Sequence, residues 1–185
     1  MASNVTLYKA IIIPIRLVLL MWMIYYVEIF FSLNFGIFGI LPRTLQGLSG
    51  IITAPLIHGS ELHLLSNTFP FIFLGTTLFL FYPKLGTRVF LQCYFFTGIL
   101  VWIFARPTYH IGISGVIYGL ASFLIFYGLF KKDFKSLLIS IVIVFLYGGF
   151  FYGILPSQPN VSYESHLMGA IVGLINAIRL SRSNY

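Results

Sequence analysis

Charged residues are scarce in this sequence. Only 8% of its 185 residues are charged, and Asp and Glu together number four, whereas a soluble domain is about a quarter charged. Hydrophobic residues make up 59% of the chain, and the mean hydropathy is +0.97. This composition argues against a soluble globular protein and indicates an integral membrane protein.

Cysteine is nearly absent as well. The single cysteine, Cys93, excludes a disulfide within the chain and any metal motif built on paired cysteines. Cys93 lies inside an apolar run, where a small buried side chain is a better interpretation than a catalytic thiol.

Apolar runs long enough to cross a bilayer are plentiful. A hydrocarbon core about 30 Å thick needs roughly 20 apolar residues per helix. The runs predict spans at 9–31, 63–82, 87–105, 114–130, 136–154 and 164–180. We therefore predict an all-α membrane protein, a six-transmembrane-helix bundle that forms one domain over residues 1–185. The first run is too long for a signal peptide and lacks a cleavage site, so we expect it to be retained.

The longest connection, residues 32–61, joins the first two predicted helices. It mixes Gly, Pro and apolar residues and is too hydrophobic for a solvated linker. We expect a compact interfacial segment with short helices, which supports packing rather than contacting substrate.

The basic residues predict the orientation of the bundle. With a cytoplasmic N-terminus, only Arg43 and Arg106 fall on the outer side, and the other nine fall at or near the inner face: Lys9, Arg16, Lys84, Arg88, Lys131, Lys132, Lys135, Arg179 and Arg182. We therefore expect a multi-pass protein of the bacterial inner (plasma) membrane with both termini in the cytoplasm. Because topology explains the net charge of +7, binding to nucleic acid is not required.

Polar side chains inside predicted spans point to function, because they are costly in a membrane. His63 and Asn67 share one helix face, as do Ser114 and Tyr118, and His166 lies near the start of the last span. At a rise of about 1.5 Å per residue, Asn67 and Ser114 lie about 26 Å from the inner basic residues. His166 lies about 20 to 24 Å from them, so the three groups can converge.

Such convergence would suit acyl transfer. A serine hydroxyl can attack, an imidazole can take its proton, and further donors can stabilise the oxyanion. A helix start adds free N–H groups at Ser114, while Gly112 and Gly115 allow close approach. Gly169 and Gly173 form a small-xxx-small pattern that would bring His166 against a neighbouring helix.

A third, acidic member of a triad is not evident. The four carboxylates are Glu28, Glu61, Asp133 and Glu164, and none is well placed to orient His166. We therefore infer a Ser-His dyad in which Tyr118 could hold the imidazole by stacking.

Taken together, these residues resemble the rhomboid family of intramembrane serine proteases. The resemblance rests on three motifs in order: "HGSELHLLSN" with His58, His63 and Asn67, then "GISGVIYGL", then "HLMGAIVG". It implies that Ser114 is the nucleophile, that His166 is the general base and acid, and that His63, Asn67 and the Ser114 N–H form the oxyanion hole. It also implies single-span membrane proteins as substrates, cut near a helix-weakening site, and neither metal nor organic cofactor.

The sequence departs from the family pattern in one place. Many members carry a Trp-Arg pair in the first outer segment, whereas residues 32–61 contain Arg43 but no tryptophan. This departure concerns the packing of that segment rather than the dyad.

Other interpretations remain open at this point. Ser114 could be only a small residue at a helix start, and His63 and Asn67 could be interhelical hydrogen-bond partners. His58 could line a water path. His110 has no assigned function, and a structural or gating role fits it better than a catalytic one. At the level of the whole protein, the alternatives are an inactive relative that binds membrane clients and a small-solute transporter.

Overall fold

The computed structural model describes residues 6–156 and 161–182, except for the side chains at positions 150 and 151. Within these residues the chain forms seven α-helices and three 3-10 helices. The α-helices are α1 (Leu7–Phe30), α2 (Leu45–Thr53), α3 (Glu61–Phe81), α4 (Pro83–Phe104), α5 (Ser114–Lys131), α6 (Phe134–Tyr147) and α7 (Tyr163–Ser181). The 3-10 helices are Phe35–Phe38, Ala54–Leu56 and Gly148–Ile154. The ends of the predicted domain, 1–5 and 183–185, lie outside the described residues.

Four of these helices, α1, α3, α4 and α5, are long and apolar enough to cross a membrane. The prediction of an all-α membrane bundle is therefore confirmed, and the protein is a multi-pass integral membrane protein. The bounds of these four helices differ most from the predicted spans at the start of α4, which begins at Pro83 rather than at 87. Proline suits the first turn of a helix, because the N–H it lacks would have no partner there.

The fifth predicted span, 136–154, differs from the structure. The α-helix in this region ends at Tyr147 after 14 residues, and the chain continues to Ile154 as a 3-10 helix. Gly148 and Gly149 follow the last α-helical residue, and glycine is a poor helix former. Because α6 is short and α7 carries several polar residues, the count of six spans stays a prediction.

The segment between α1 and α3 is compact and contains α2 and two of the 3-10 helices, as expected. Arg43 holds it against the end of α4 by donating hydrogen bonds to the carbonyl oxygens of Ile103 (3.1 Å) and Ala105 (2.8 Å). The indole Nε1 of Trp102 donates to Thr44 O at 2.8 Å, and the Arg43 N–H donates to Trp102 O. A tryptophan therefore does lie beside Arg43, although it comes from α4 rather than from this segment.

Helices α5 and α7 pack with their backbones in contact. A Cβ atom on Gly169 would overlap the carbonyl oxygen of Gly115, and a Cβ atom on Gly173 would overlap that of Gly119. Only glycine permits this separation, so the small-xxx-small pattern of α7 lies against the matching glycines of α5. The starts of the two helices, which carry Ser114 and His166, are thereby brought together.

Candidate active site

Ser114 and His166 form a direct hydrogen bond. Ser114 is the first residue of α5, and His166 lies in the first turn of α7. The distance from His166 Nε2 to Ser114 Oγ is 2.9 Å, and both residues are 8% exposed. The two residues that the sequence pairs as a dyad are thus in hydrogen-bond contact within a buried site.

The other ring nitrogen fixes the tautomer of His166. Its Nδ1 lies 2.9 Å from the carbonyl oxygen of Gly153, which can only accept a hydrogen bond. When the imidazole is neutral, Nδ1 therefore carries the hydrogen, and Nε2 has a lone pair directed at the Ser114 hydroxyl. This is the state in which the ring can take a proton from serine.

The ring of Tyr118 stacks on the imidazole of His166. The two rings are nearly parallel, with 4° between their planes and 4.1 Å between their centroids. Tyr118 lies one turn after Ser114 on the same helix, so α5 supplies both the hydroxyl and the surface that supports its partner.

None of the four carboxylates orients the imidazole, and all four lie within the described residues. Glu28 accepts the N–H of Phe35 at 2.8 Å, and Glu61 is exposed at the start of α3. Asp133 caps α6, and the hydrogen bond from the Ser136 N–H holds its carboxyl pKa below the usual value. Glu164 pairs with Arg106 at 3.3 Å. A carbonyl oxygen therefore occupies the position that an acid has in a triad.

Two side chains that can donate hydrogen bonds, His63 and Asn67, lie beside Gly112. Gly112 has φ +100°, a conformation that favours glycine, and a Cβ there would lie 2.9 Å from His63 Nε2 and 3.7 Å from Asn67 Nδ2. Asn67 is 6% exposed, and its Nδ2 has no hydrogen-bond partner among the described residues. A buried amide without a partner is costly, so it is poised to donate to an anion that forms nearby. The N–H groups in the first turn of α5 also lack intrahelical acceptors.

His58 lies behind His63 rather than beside the serine. The residue is 2% exposed, and its ring meets that of His63 edge to face at 5.0 Å. Burial, together with the neighbouring His63, lowers the pKa of His58 to about 3, so the ring stays neutral. This position suits support of His63 better than proton transfer.

No group of three or more His, Cys, Asp or Glu within 6–156 and 161–182 is arranged to hold a metal ion.

Two features of the site were not predicted from the sequence. The Gly153 carbonyl is a backbone group, and no side-chain pattern marks it. The sequence gives His110 no specific function, but its side chain forms a hydrogen bond to Ser162 at the start of α7. Its position just ahead of "GISG" was the only signal available.

Comparison with known proteins identifies the family. The Rhomboid domain model matches residues 45–183 of the chain. The chain belongs to the rhomboid family. Rhomboid proteins are in general intramembrane serine proteases, so the family agrees with a site built on a serine and a histidine.

The chain is also similar to uncharacterized proteins of mycobacteria. It is 35% identical over 152 residues to the uncharacterized proteins Rv1337 of Mycobacterium tuberculosis and Mb1372 of Mycobacterium bovis, covering 77% of this chain and 63% of each relative. The uncharacterized protein ML1171 of Mycobacterium leprae is 35% identical over 143 residues, which is 72% of this chain and 57% of the relative. The chain thus spans about three fifths of the length of these relatives.

Proposed function

We propose that this rhomboid protein is an intramembrane serine endopeptidase that hydrolyses peptide bonds of transmembrane substrates with a Ser114-His166 dyad. The observation that carries the proposal is the 2.9 Å hydrogen bond from Ser114 Oγ to His166 Nε2. It is supported by the acceptor at Nδ1, which leaves Nε2 free to act as the base.

In the first step, Ser114 Oγ attacks the scissile carbonyl carbon while its proton moves to His166 Nε2. The imidazolium that forms keeps its Nδ1–H bond to the Gly153 carbonyl and its stacking on Tyr118. The carbonyl oxygen becomes an oxyanion, and His63, Asn67 and the Ser114 N–H donate to it.

Collapse of the tetrahedral intermediate breaks the C–N bond. His166 gives its proton to the leaving amine, and the acyl group remains bound to Ser114 Oγ as an ester. A water molecule then attacks the ester carbonyl while His166 takes its proton. The bond from the acyl carbon to Oγ breaks, the substrate leaves with a new carboxyl terminus, and His166 returns the proton to Oγ, which restores the enzyme.

Further parts of the proposal concern the setting of the reaction. The substrates are single-span membrane proteins in the lipid bilayer, cut at a site where their helix is weak. We expect one domain over residues 1–185 with six spans in the inner membrane of a bacterium. The distribution of its basic residues supports a cytoplasmic location for both termini.

The test is cleavage of a single-span substrate reconstituted with the purified protein in lipid vesicles. Ser114→Ala should abolish cleavage, because no other hydroxyl is bonded to His166 Nε2 among the described residues. Ser140→Ala is a matched control, since Ser140 is a buried serine whose hydroxyl, among the described residues, donates to the helix carbonyl of Ile125 and has no contact with the dyad. This control should cleave at close to the wild-type rate. Unchanged cleavage by Ser114→Ala would contradict the mechanism, and no cleavage by the wild type would favour a client-binding relative or a transporter.

A further inference from the structure

A polar network outside the dyad joins the α4–α5 loop to the start of α7. We call it the loop–α7 network; its members are Arg106, His110, Ser162, Glu164 and Ser165. His110, Glu164 and Ser165 are each at most 9% exposed. A buried polar cluster of this kind is stabilising only when its members find partners, and these bonds link two stretches far apart in the sequence.

The spacing within this network repeats that of the dyad. His110 precedes Ser114 by four residues, and Ser162 precedes His166 by four. His110 is bonded to Ser162 just as Ser114 is bonded to His166, and each pair is separated by 52 positions. The segments that lead into α5 and α7 are therefore joined by two hydrogen bonds, one between the dyad residues and one four residues before them.

The hydrogen bonds of His110 have a defined direction. Its Nε2 lies 3.0 Å from the carbonyl oxygen of Arg106, so Nε2 carries the hydrogen of the neutral ring. Burial lowers the pKa of His110, which favours that neutral ring. Its Nδ1 must then accept the bond from Ser162 Oγ at 2.6 Å.

Ser162 connects His110 to the start of α7 by hydrogen bonds. With its only hydrogen given to His110, its Oγ accepts from Ser165 Oγ at 2.6 Å and from the Ser165 N–H at 3.3 Å. Ser162 is the N-cap of α7, so its position sets where the helix begins. His166 is the next residue after Ser165, and its own N–H bonds the Ser162 carbonyl at 3.3 Å.

The loop at the other end of the link is itself held in place. His110 exchanges two backbone hydrogen bonds with Ile40, each of 2.9 Å, and the Gly112 N–H donates to Ala54 O at 2.8 Å. Because these bonds hold the loop in place, the loop can fix the position of the start of α7. Arg106 adds a second contact through Val161 O (2.8 Å) and Glu164, but its side chain is 34% exposed.

We propose that His110 is a positioning residue, which holds the first turn of α7 through Ser162 so that His166 Nε2 meets Ser114 Oγ. The inference rests on the proposed protease function and adds to it a residue that acts through α7. A displacement of about 1 Å at a reacting group can cost about 100-fold in rate, so loss of this hold lowers kcat. We expect KM to change little, because the side chain of His110 is buried, at 2% exposed, and bonds to Ser162 of α7 rather than to a dyad residue.

Two substitutions of His110 separate its two hydrogen bonds. In His110→Asn, the side-chain oxygen can take the place of Nδ1 and accept from Ser162, while the bond to Arg106 O is lost. In His110→Gln, the amide nitrogen can take the place of Nε2 and donate to Arg106 O, but no acceptor faces Ser162. His110→Asn therefore keeps the bond to Ser162 of α7, whereas His110→Gln keeps only the bond to Arg106 O within the loop.

The experiment measures kcat and KM for cleavage of a reconstituted single-span substrate, at equal amounts of folded protein. We expect His110→Gln to lower kcat by about tenfold to about 100-fold at nearly constant KM, and His110→Asn to restore most of the rate. Ser162→Ala should lower kcat at least as much as His110→Gln, because it also removes the N-cap of α7, and the double variant should be no worse than Ser162→Ala alone. Thr44→Ala is the control for loss of an N-cap hydroxyl, because Thr44 caps α2, which carries no dyad residue.

A second readout does not depend on proteolysis. Amide hydrogen exchange in the first turn of α7 should be faster in His110→Gln than in His110→Asn or the wild type. Equal effects of the Asn and Gln variants on both kcat and exchange would overturn the inference, as would no effect of either. A wild type that fails to cleave while exchange follows the expected order would refute the protease function but retain the link from His110 to α7.

Discussion

The imidazole of His166 lies face to face with the phenol ring of Tyr118, 4.1 Å apart, and points Nδ1 at the Gly153 carbonyl. Tyr118 therefore fixes the plane of the imidazole, and the Gly153 carbonyl fixes its tautomer. In a triad a single carboxylate does both.

Tyr118 should matter through its ring. Tyr118→Phe keeps the stack, so we expect a higher kcat for this variant than for Tyr118→Leu. Tyr118→Leu loses an aromatic contact of about 0.5–1.5 kcal/mol, which corresponds to a loss of about two- to tenfold in kcat. Steady-state cleavage in vesicles measures both variants. Equal activity of the Phe and Leu variants would show that the stack does not hold the base.

Gly153 should not tolerate a side chain. A Cβ at this position would overlap the Tyr118 hydroxyl and lie 3.3 Å from His166 Nδ1. Gly153→Ala should displace both rings and lower kcat by about 100-fold. Gly149→Ala in the same 3-10 helix is the control, because a Cβ there meets no atom within 4 Å. If the two alanine variants cleave equally well, the Gly153 carbonyl does not orient His166.

Asn67 should act in the transition state. Its buried Nδ2 has no partner among the described residues, so a bond to the oxyanion would form only as the reaction proceeds. Asn67→Ala should lower kcat by about 100- to 1,000-fold with little change in KM. Kinetics of the purified variant test this, and a change confined to KM would indicate a packing contact instead.

His58 should make the protein less stable in acid. Its pKa is about 3 in the folded protein and 6.5 for an unperturbed histidine, as in the unfolded chain. Between pH 6.5 and about pH 3, the unfolded chain therefore binds a proton that the folded protein does not bind. Stability should therefore fall as pH decreases from about 6.5 toward 3. His58→Leu removes this contribution. Between about pH 7 and about pH 4.5, the unfolding temperature of this variant in detergent should therefore drop less than that of the wild type. A variant with the same acid sensitivity as the wild type would contradict the assignment.

The sequence predicted those parts of the site that depend on helical spacing. Ser114 and Tyr118 share a helix face, and His63 and Asn67 share another, so one turn of spacing places each pair correctly. The depth of His166 followed from the rise per residue. These rules hold wherever a long apolar helix is certain.

The rest depended on backbone conformation outside the long helices. The break of α6 at Gly148 created the 3-10 helix that presents the Gly153 carbonyl, and periodicity carries no signal for such a carbonyl. The bond from His110 to Ser162 joins a loop to a helix cap, and loop conformation decides whether they meet. Trp102 reaches Arg43 from another helix, so a motif sought within one segment misses it.

The most direct test of the dyad is labelling with a fluorophosphonate, with the modified residue located by mass spectrometry. A serine activated by His166 should carry the adduct, so we predict a single modified residue, Ser114, in the wild-type protein and no adduct in His166→Ala. An adduct on Ser114 that persists without His166, or an adduct on another serine, would contradict the account.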